Sequence, residues 1–228
     1  MAQIFFDERL LPPAIKRYVA FVDIMGIQAH MSRNTNTAAN FIFKLHAAIL
    51  DAWRSEKYQN VFVYPVMDGA YITAATKKDI EKMLVRIFNG LAEIQIAETN
   101  PLHRFIIRGS ITFGEVIHGH HVPYEASKVF ETDLAYKNNI LLGPAMILAY
   151  RGEGRAAPFG IYLDDTAINH GSGKGFPEGW KWHTSTVLKQ SEKIDCNLRK
   201  VALEYFDKTA GDDKVEQHKQ QVEEYFSL

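Results

Sequence analysis

The spacing of apolar residues along this chain changes several times, and each change marks a new element. Residues 18–22, Tyr-Val-Ala-Phe-Val, form an unbroken apolar run that ends at Asp23-Ile24-Met25-Gly26, which predicts a strand buried on both faces. After a polar stretch over residues 32–37, Phe41, Leu45, Ile49 and Trp53 recur every four positions and predict one face of a helix, capped by Asn36 or Thr37. Residues 61–66 and 70–74 read as two short strands joined at Met67-Asp68-Gly69, because an Asp-Gly pair between apolar runs signals a hairpin. Pro65 has no N–H to give to a ladder and belongs on a sheet edge. Thr76-Lys77-Lys78-Asp79 has the form of a capping box, and the helix it opens carries Ile80, Leu84, Ile87, Leu91 and Ile94 at helical spacing. Residues 104–113 predict a fourth strand, with Gly114-Glu115 turning the chain into a fifth over residues 116–118. Further on, the pattern predicts a helix over 141–153 starting near Gly143-Pro144, a strand over 159–163, a Gly-, Ser- and Pro-rich surface loop over 170–179, and a mixed-charge helix over 213–226.

Strand, helix, strand, strand, helix, strand is the ferredoxin-like βαββαβ order, an α+β arrangement whose antiparallel sheet is flanked by helices. In that topology the first strand lies beside the third and runs opposite to it. The end of the one therefore meets the start of the other, which brings Asp23 and Asp68 to the same sheet edge.

Composition narrows the function classes. With 228 residues and 46% hydrophobic, the chain suits one domain, a core over about 18–165 with a C-terminal extension over about 166–228. Lys plus Arg number 26 against 27 Asp plus Glu, a balance without the basic footprint of a nucleic-acid binder. No apolar run approaches the roughly 20 residues of a membrane span, and the first residues lack a signal-peptide pattern. A cytoplasmic location is expected, and the single cysteine, Cys196, fits a reducing compartment.

The candidate chemistry gathers at the predicted edge. An aspartate ending an apolar buried strand is costly unless its charge is compensated, and a second carboxylate brought beside it adds repulsion. A hard divalent cation relieves both, so Asp23 and Asp68 are candidate metal ligands. The turn through Gly26 and Ile27 also offers backbone N–H groups to phosphate. Metals beside a phosphate-holding turn are equipment for attack on a phosphoryl group.

Longer segments carry a resemblance. Phe21-Val22-Asp23-Ile24-Met25-Gly26 resembles the first-strand motif of class III adenylate and guanylate cyclases, and Met67-Asp68 matches their hairpin aspartate. Residues 108–116, Arg-Gly-Ser-Ile-Thr-Phe-Gly-Glu-Val, are similar to their fourth-strand segment, and residues 143–153 to their late helix. The resemblance implies a cyclase core in which Asp23 and Asp68 hold two divalent cations, Mn2+ or Mg2+, with the Ile24 carbonyl as a further ligand. It also implies that Arg151 stabilises the transition state and that a homodimer forms its active sites at the interface. Three positions depart from the pattern: Ile147 stands where the late helix usually has asparagine, and Tyr64 and Ile140 stand where purine cyclases carry polar base readers. With these departures the chain resembles the pyrimidine cyclases of Pycsar anti-phage systems, which make cyclic UMP or cyclic CMP for a separate effector. That resemblance implies UTP or CTP as substrate, UTP the more usual; a bulky Tyr64 would shrink the pocket and stack on or hydrogen-bond the smaller ring. The alternatives are a purine cyclase with an unusual base pocket and a catalytically silent cyclase-homology domain. His118-Gly119-His120-His121 reads as an exposed turn rather than a metal cluster, and Lys174 falls too early before Trp180-Lys181-Trp182 to match the purine cyclases' triphosphate lysine.

Overall fold

The structure is a computed structural model and describes residues 5–170, 175–187, 192–208 and 214–227. Lys174, part of the expected 170–179 loop, Asp213 and the side chain of Cys196 lie outside the described residues.

Strand β1 (Ile15–Ile24) is the centre of the sheet. A seven-residue helix α1 (Ile27–Arg33), absent from the sequence expectation, leads into α2 (Thr35–Arg54). The cap of α2 is Asn34, not Asn36 or Thr37, and its side chain accepts from the Thr37 N–H at 3.1 Å. Phe41, Leu45 and Ile49 face the core as their spacing predicts, whereas Ala52 takes the buried place expected of Trp53. Strands β2 (Val61–Val66) and β3 (Gly69–Ala74) form the hairpin, and α3 (Lys77–Ala97) starts at the capping box, where the Thr76 hydroxyl accepts from the Asp79 N–H at 3.1 Å. The strand expected over 104–113 and the fifth over 116–118 are one continuous strand, β4 (Ile107–His118). Gly114 and Glu115 do not turn, because they pair in register with Arg17 and Lys16 of β1.

Two short helices, α4 (Lys128–Thr132) and α5 (Leu134–Asn138), precede a two-residue strand β5 (Leu141–Leu142). The late helix α6 (Pro144–Glu153) therefore starts at the proline, and Leu141 and Leu142 pair with β4 instead of extending the helix. Strand β6 (Ile161–Leu163) runs parallel to β4, and α7 (Asp165–Ile168), α8 (Glu192–Lys208) and α9 (Val215–Phe226) complete the described chain.

The sheet runs β2-β3-β1-β4-β5, with β6 also on β4, and its first four strands have the expected antiparallel order. Pro65 sits on edge strand β2, where no neighbour needs its N–H. Alternation along β1 divides the molecule into two layers. Tyr18, Ala20, Val22 and Ile24 point into the main core with α2 and α3, to which Leu198, Ala202, Tyr205 and Phe206 of α8 also contribute. Val19 and Phe21 point the other way, into a smaller cluster under α6.

That second layer is tied by polar bonds at each helical turn. Alternate residues of β4 meet successive turns of α6: the Thr112 hydroxyl donates to the Ala145 carbonyl at 3.0 Å and the Ser110 hydroxyl to the Ala149 carbonyl. Arg108 Nε donates to Glu153 Oε1 at 2.7 Å. Two buried hydroxyls and a half-buried guanidinium thus satisfy themselves on the helix and fix its position over the sheet.

Candidate active site

Asp23 is held by the ladder, not by its side chain. It pairs with Gly69 of β3 on one side and Arg108 of β4 on the other. The β2–β3 loop is only Met67-Asp68, shorter than the three residues expected, since Val66 pairs with Gly69. Gly69 pairs within the strand, and it is glycine for a steric reason: a Cβ there would come 2.5 Å from the Val22 carbonyl oxygen and 3.0 Å from Asp23 Oδ1. Met67 bears the turn at φ 45°, an unusual conformation for a side chain of its size, and points into solvent. The hairpin thereby delivers Asp68 to the side of Asp23.

The two carboxylates line one groove of about 470 Å³ with Phe21, Ile27, Tyr71 and Tyr150. Phe21 and Tyr71 pack at 4.7 Å between ring centroids and Tyr150 lies 5.4 Å from Phe21, so aromatic faces form the wall beside the acids. Asp23 Oδ1 is buried and has no hydrogen-bond partner. Burial first, then the charges of Asp68 and Glu153, push the Asp23 carboxyl up to about 7. A carboxylate so placed has unmet need for a cation.

The donor set fits one. Among the described residues no three His, Cys, Asp or Glu side chains converge as a complete metal cage. Mg2+ and its relatives are commonly held by one or two carboxylates together with the phosphates of a substrate, which is what Asp23 and Asp68 leave room for. The Ile24 side chain is buried in the main core, so only its carbonyl is available as a ligand. Ile27 lines the groove, while Gly26 precedes α1 at φ 72°, a left-handed conformation that suits glycine.

The remaining expected residues stand apart from this groove. Arg151 is exposed on α6 and is not among the residues lining the groove, although its neighbour Tyr150 is, and no hydrogen bond or ion pair joins it to another described residue. Tyr64 is on the α6 side of the sheet but 3% exposed, and its hydroxyl bonds to His118 Nδ1.

The histidine segment turns as expected and His121 is exposed, but His118 is not. His118 ends β4 fully buried, and a 3-10 turn over Gly119–His121 folds the next two rings back on it, with His118 and His120 centroids 5.0 Å apart. Strand alternation does not apply past His118, which is why the rings converge. Burial and the neighbouring His120 push the His118 ring down to about 3, so it is neutral.

Several groove residues escaped the sequence reading. Phe21 is two positions before Asp23 on the same face, and Tyr71 is opposite Phe21 in the β1–β3 register, so both follow once the register is known. The Arg108–Glu153 pair joins residues 45 apart and had no local signal.

No family model and no curated protein matches the sequence. Solved structures do. The guanylyl cyclase Cya2 superposes with a TM-score of 0.52 at 15% identity, over 68% of this chain and 78% of that one. A double mutant of the guanylyl cyclase domain of the RhoGC fusion protein from the aquatic fungus Blastocladiella emersonii, in a monomeric crystal structure, gives 0.50 at 16% identity, over 68% of this chain and 84% of that one. A bacterial light-regulated adenylyl cyclase gives 0.49 at 17% identity over 63% of this chain, which spans 40% of that protein's length. The likeness is one of fold: the antiparallel sheet flanked by helices is that of nucleotide cyclase domains.

Proposed function

We propose that this chain is a nucleotide cyclase that converts a pyrimidine triphosphate, UTP or CTP, to its 3′,5′-cyclic monophosphate and pyrophosphate. The observation that carries this reading is the unpartnered, buried Asp23 Oδ1 beside Asp68 in a groove on a cyclase fold. Asp23, Asp68 and the Ile24 carbonyl would hold two divalent cations, Mn2+ or Mg2+, which when bound acidify the attacking hydroxyl and neutralise phosphate charge. The protein orients the substrate so that the ribose 3′-oxygen lies in line with the α-phosphorus. The 3′-O–P bond forms as the bond to the pyrophosphate oxygen breaks. Ile27 and the turn at Gly26 flank the phosphates, and Phe21, Tyr71 and Tyr150 form the aromatic wall of the groove.

Arg151 is exposed and does not line its own chain's groove, which supports a homodimer in which it reaches the developing charge in the partner's site. Tyr64, buried and bonded to His118 outside the groove lining, offers no charged partner to a purine edge, which supports the pyrimidine reading. The resemblance to anti-phage pyrimidine cyclases supports a signalling role, with the product acting on a separate effector. Among the described residues no helix is long and apolar enough to cross a membrane. Incubating the protein with each of the four ribonucleoside triphosphates and Mn2+, and identifying products by mass spectrometry, tests this reading. Cyclic UMP or cyclic CMP is expected; a cyclic purine nucleotide would overturn the pyrimidine reading, and no cyclic product would overturn the cyclase reading.

A further inference from the structure

Arg108 stands directly across the ladder from Asp23. Cross-strand partners put their Cβ atoms about 5 Å apart on one face of the sheet, well within reach of a guanidinium. A half-buried carboxylate and an arginine so placed would ordinarily close on each other. They do not. Arg108 Nε goes instead to Glu153 Oε1 at 2.7 Å, in a pair whose side chains are 17% and 10% exposed, and Asp23 Oδ1 is left buried and unbonded. Glu153 can hold the guanidinium because α6 is itself fixed one and two turns earlier by the Ser110 and Thr112 hydroxyls.

We propose that Glu153 keeps the cation site open by holding Arg108 away from Asp23. The proposal rests on the reading of Asp23 and Asp68 as cation ligands. Without Glu153, Arg108 would turn to the unpaired carboxylate and occupy the position of the cation with its own charge. Glu153 is therefore a positioning residue, and the α6-to-β4 tie doubles as a guard on the groove.

The test is Mn2+ binding by the full chain without nucleotide, read from the loss of the free-ion electron paramagnetic resonance signal, with a circular dichroism melt to confirm folding. Glu153→Ala is expected to weaken binding about tenfold or more, as loss of an outer partner of a metal ligand does. Glu153→Gln, which keeps an oxygen for Arg108 but loses the charge, should stay within about threefold of wild type, and so should Glu153→Ala combined with Arg108→Ala. Arg108→Ala alone needs no guard and should keep or strengthen binding, which leaves the proposal open to refutation even where Glu153→Ala folds poorly. Equal losses in Glu153→Ala and Glu153→Gln would show a charge effect and overturn the proposal. So would an unaltered Glu153→Ala, a failure of the double variant to recover, or weaker binding by Arg108→Ala. The underlying site reading fails separately if Asp23→Asn binds Mn2+ as wild type does, or if wild type binds none.

Discussion

The sheet face under α6 treats charge in opposite ways at its two ends. At the Asp23 end an acid sits beside a second acid, its Oδ1 unbonded, against an open groove. Towards His118 the Tyr64 hydroxyl bonds to His118 Nδ1 and Phe62 packs on His118 and His120, while Nε2 of both rings is buried without a partner, and the His118 imidazole is neutral. One end retains a charge need that only something from outside can meet, and the other has shed its charge by burial. The contrast separates the part that awaits a ligand from the part that shapes the surface around it.

The strongest way to break this comparison is Asp23→Asn. Cyclase activity should fall at least about a hundredfold, because a metal ligand is lost. The metal-free variant should nevertheless melt higher than wild type at pH 8, since the disfavoured charge is gone. A variant that is inactive and also less stable at pH 8 would mean that Asp23 is a structural residue.

At the other end the larger effect is on stability. Tyr64→Ala should cost about 3–4 kcal/mol through the cavity it leaves. It should also erode the preference for pyrimidine over purine triphosphates, compared by kcat/KM. Tyr64→Phe keeps the ring but leaves His118 Nδ1 unbonded, and should cost about 1–2 kcal/mol with the base preference unchanged. If Tyr64→Phe shifts the preference as far as Tyr64→Ala does, the hydroxyl rather than the ring reads the base.

The smallest effect sharpens the comparison most. Asp23 is raised from 3.8 to about 7, so the folded state binds the extra proton and stability falls as pH rises through that window. His118 is lowered from 6.5 to about 3, so the unfolded state binds the extra proton and stability falls as pH drops through that window. The two slopes oppose each other in the metal-free protein between about pH 4 and 6.5. Asp23→Asn should expose the His118 slope, with melting temperature rising over that range, and His118→Asn should expose the Asp23 slope, with melting temperature falling. Parallel profiles in the two variants would contradict the assignment of opposite linkages to the two ends.

Much of this was legible in the sequence because it lives in local periodicity. The apolar run before Asp23, the four-residue spacing in α2 and the capping box at Thr76 each fixed an element, and their order placed Asp23 and Asp68 on one edge. What escaped depended on pairing across the fold. Gly114-Glu115 looks like a turn but is held straight by β1, and a buried His118 was read as exposed because its burial comes from Tyr64 and Phe62, 54 and 56 residues away. Helix α8 passed unread although Leu198, Val201, Ala202, Tyr205 and Phe206 carry a helical period. The guard pair of Arg108 and Glu153 has no local signature at all.

On the proposed reading, the open Asp23 end is half of a site completed by Arg151 of another copy of the chain. Mixing Asp23→Ala protein with Arg151→Ala protein tests it most directly. Each variant alone should be inactive. With random exchange about half the dimers are mixed, and each mixed dimer holds one site with both halves intact, so activity should recover to roughly a quarter of wild type. A mixture that exchanges subunits, shown by energy transfer between labelled chains, yet remains as inactive as either parent would contradict the account.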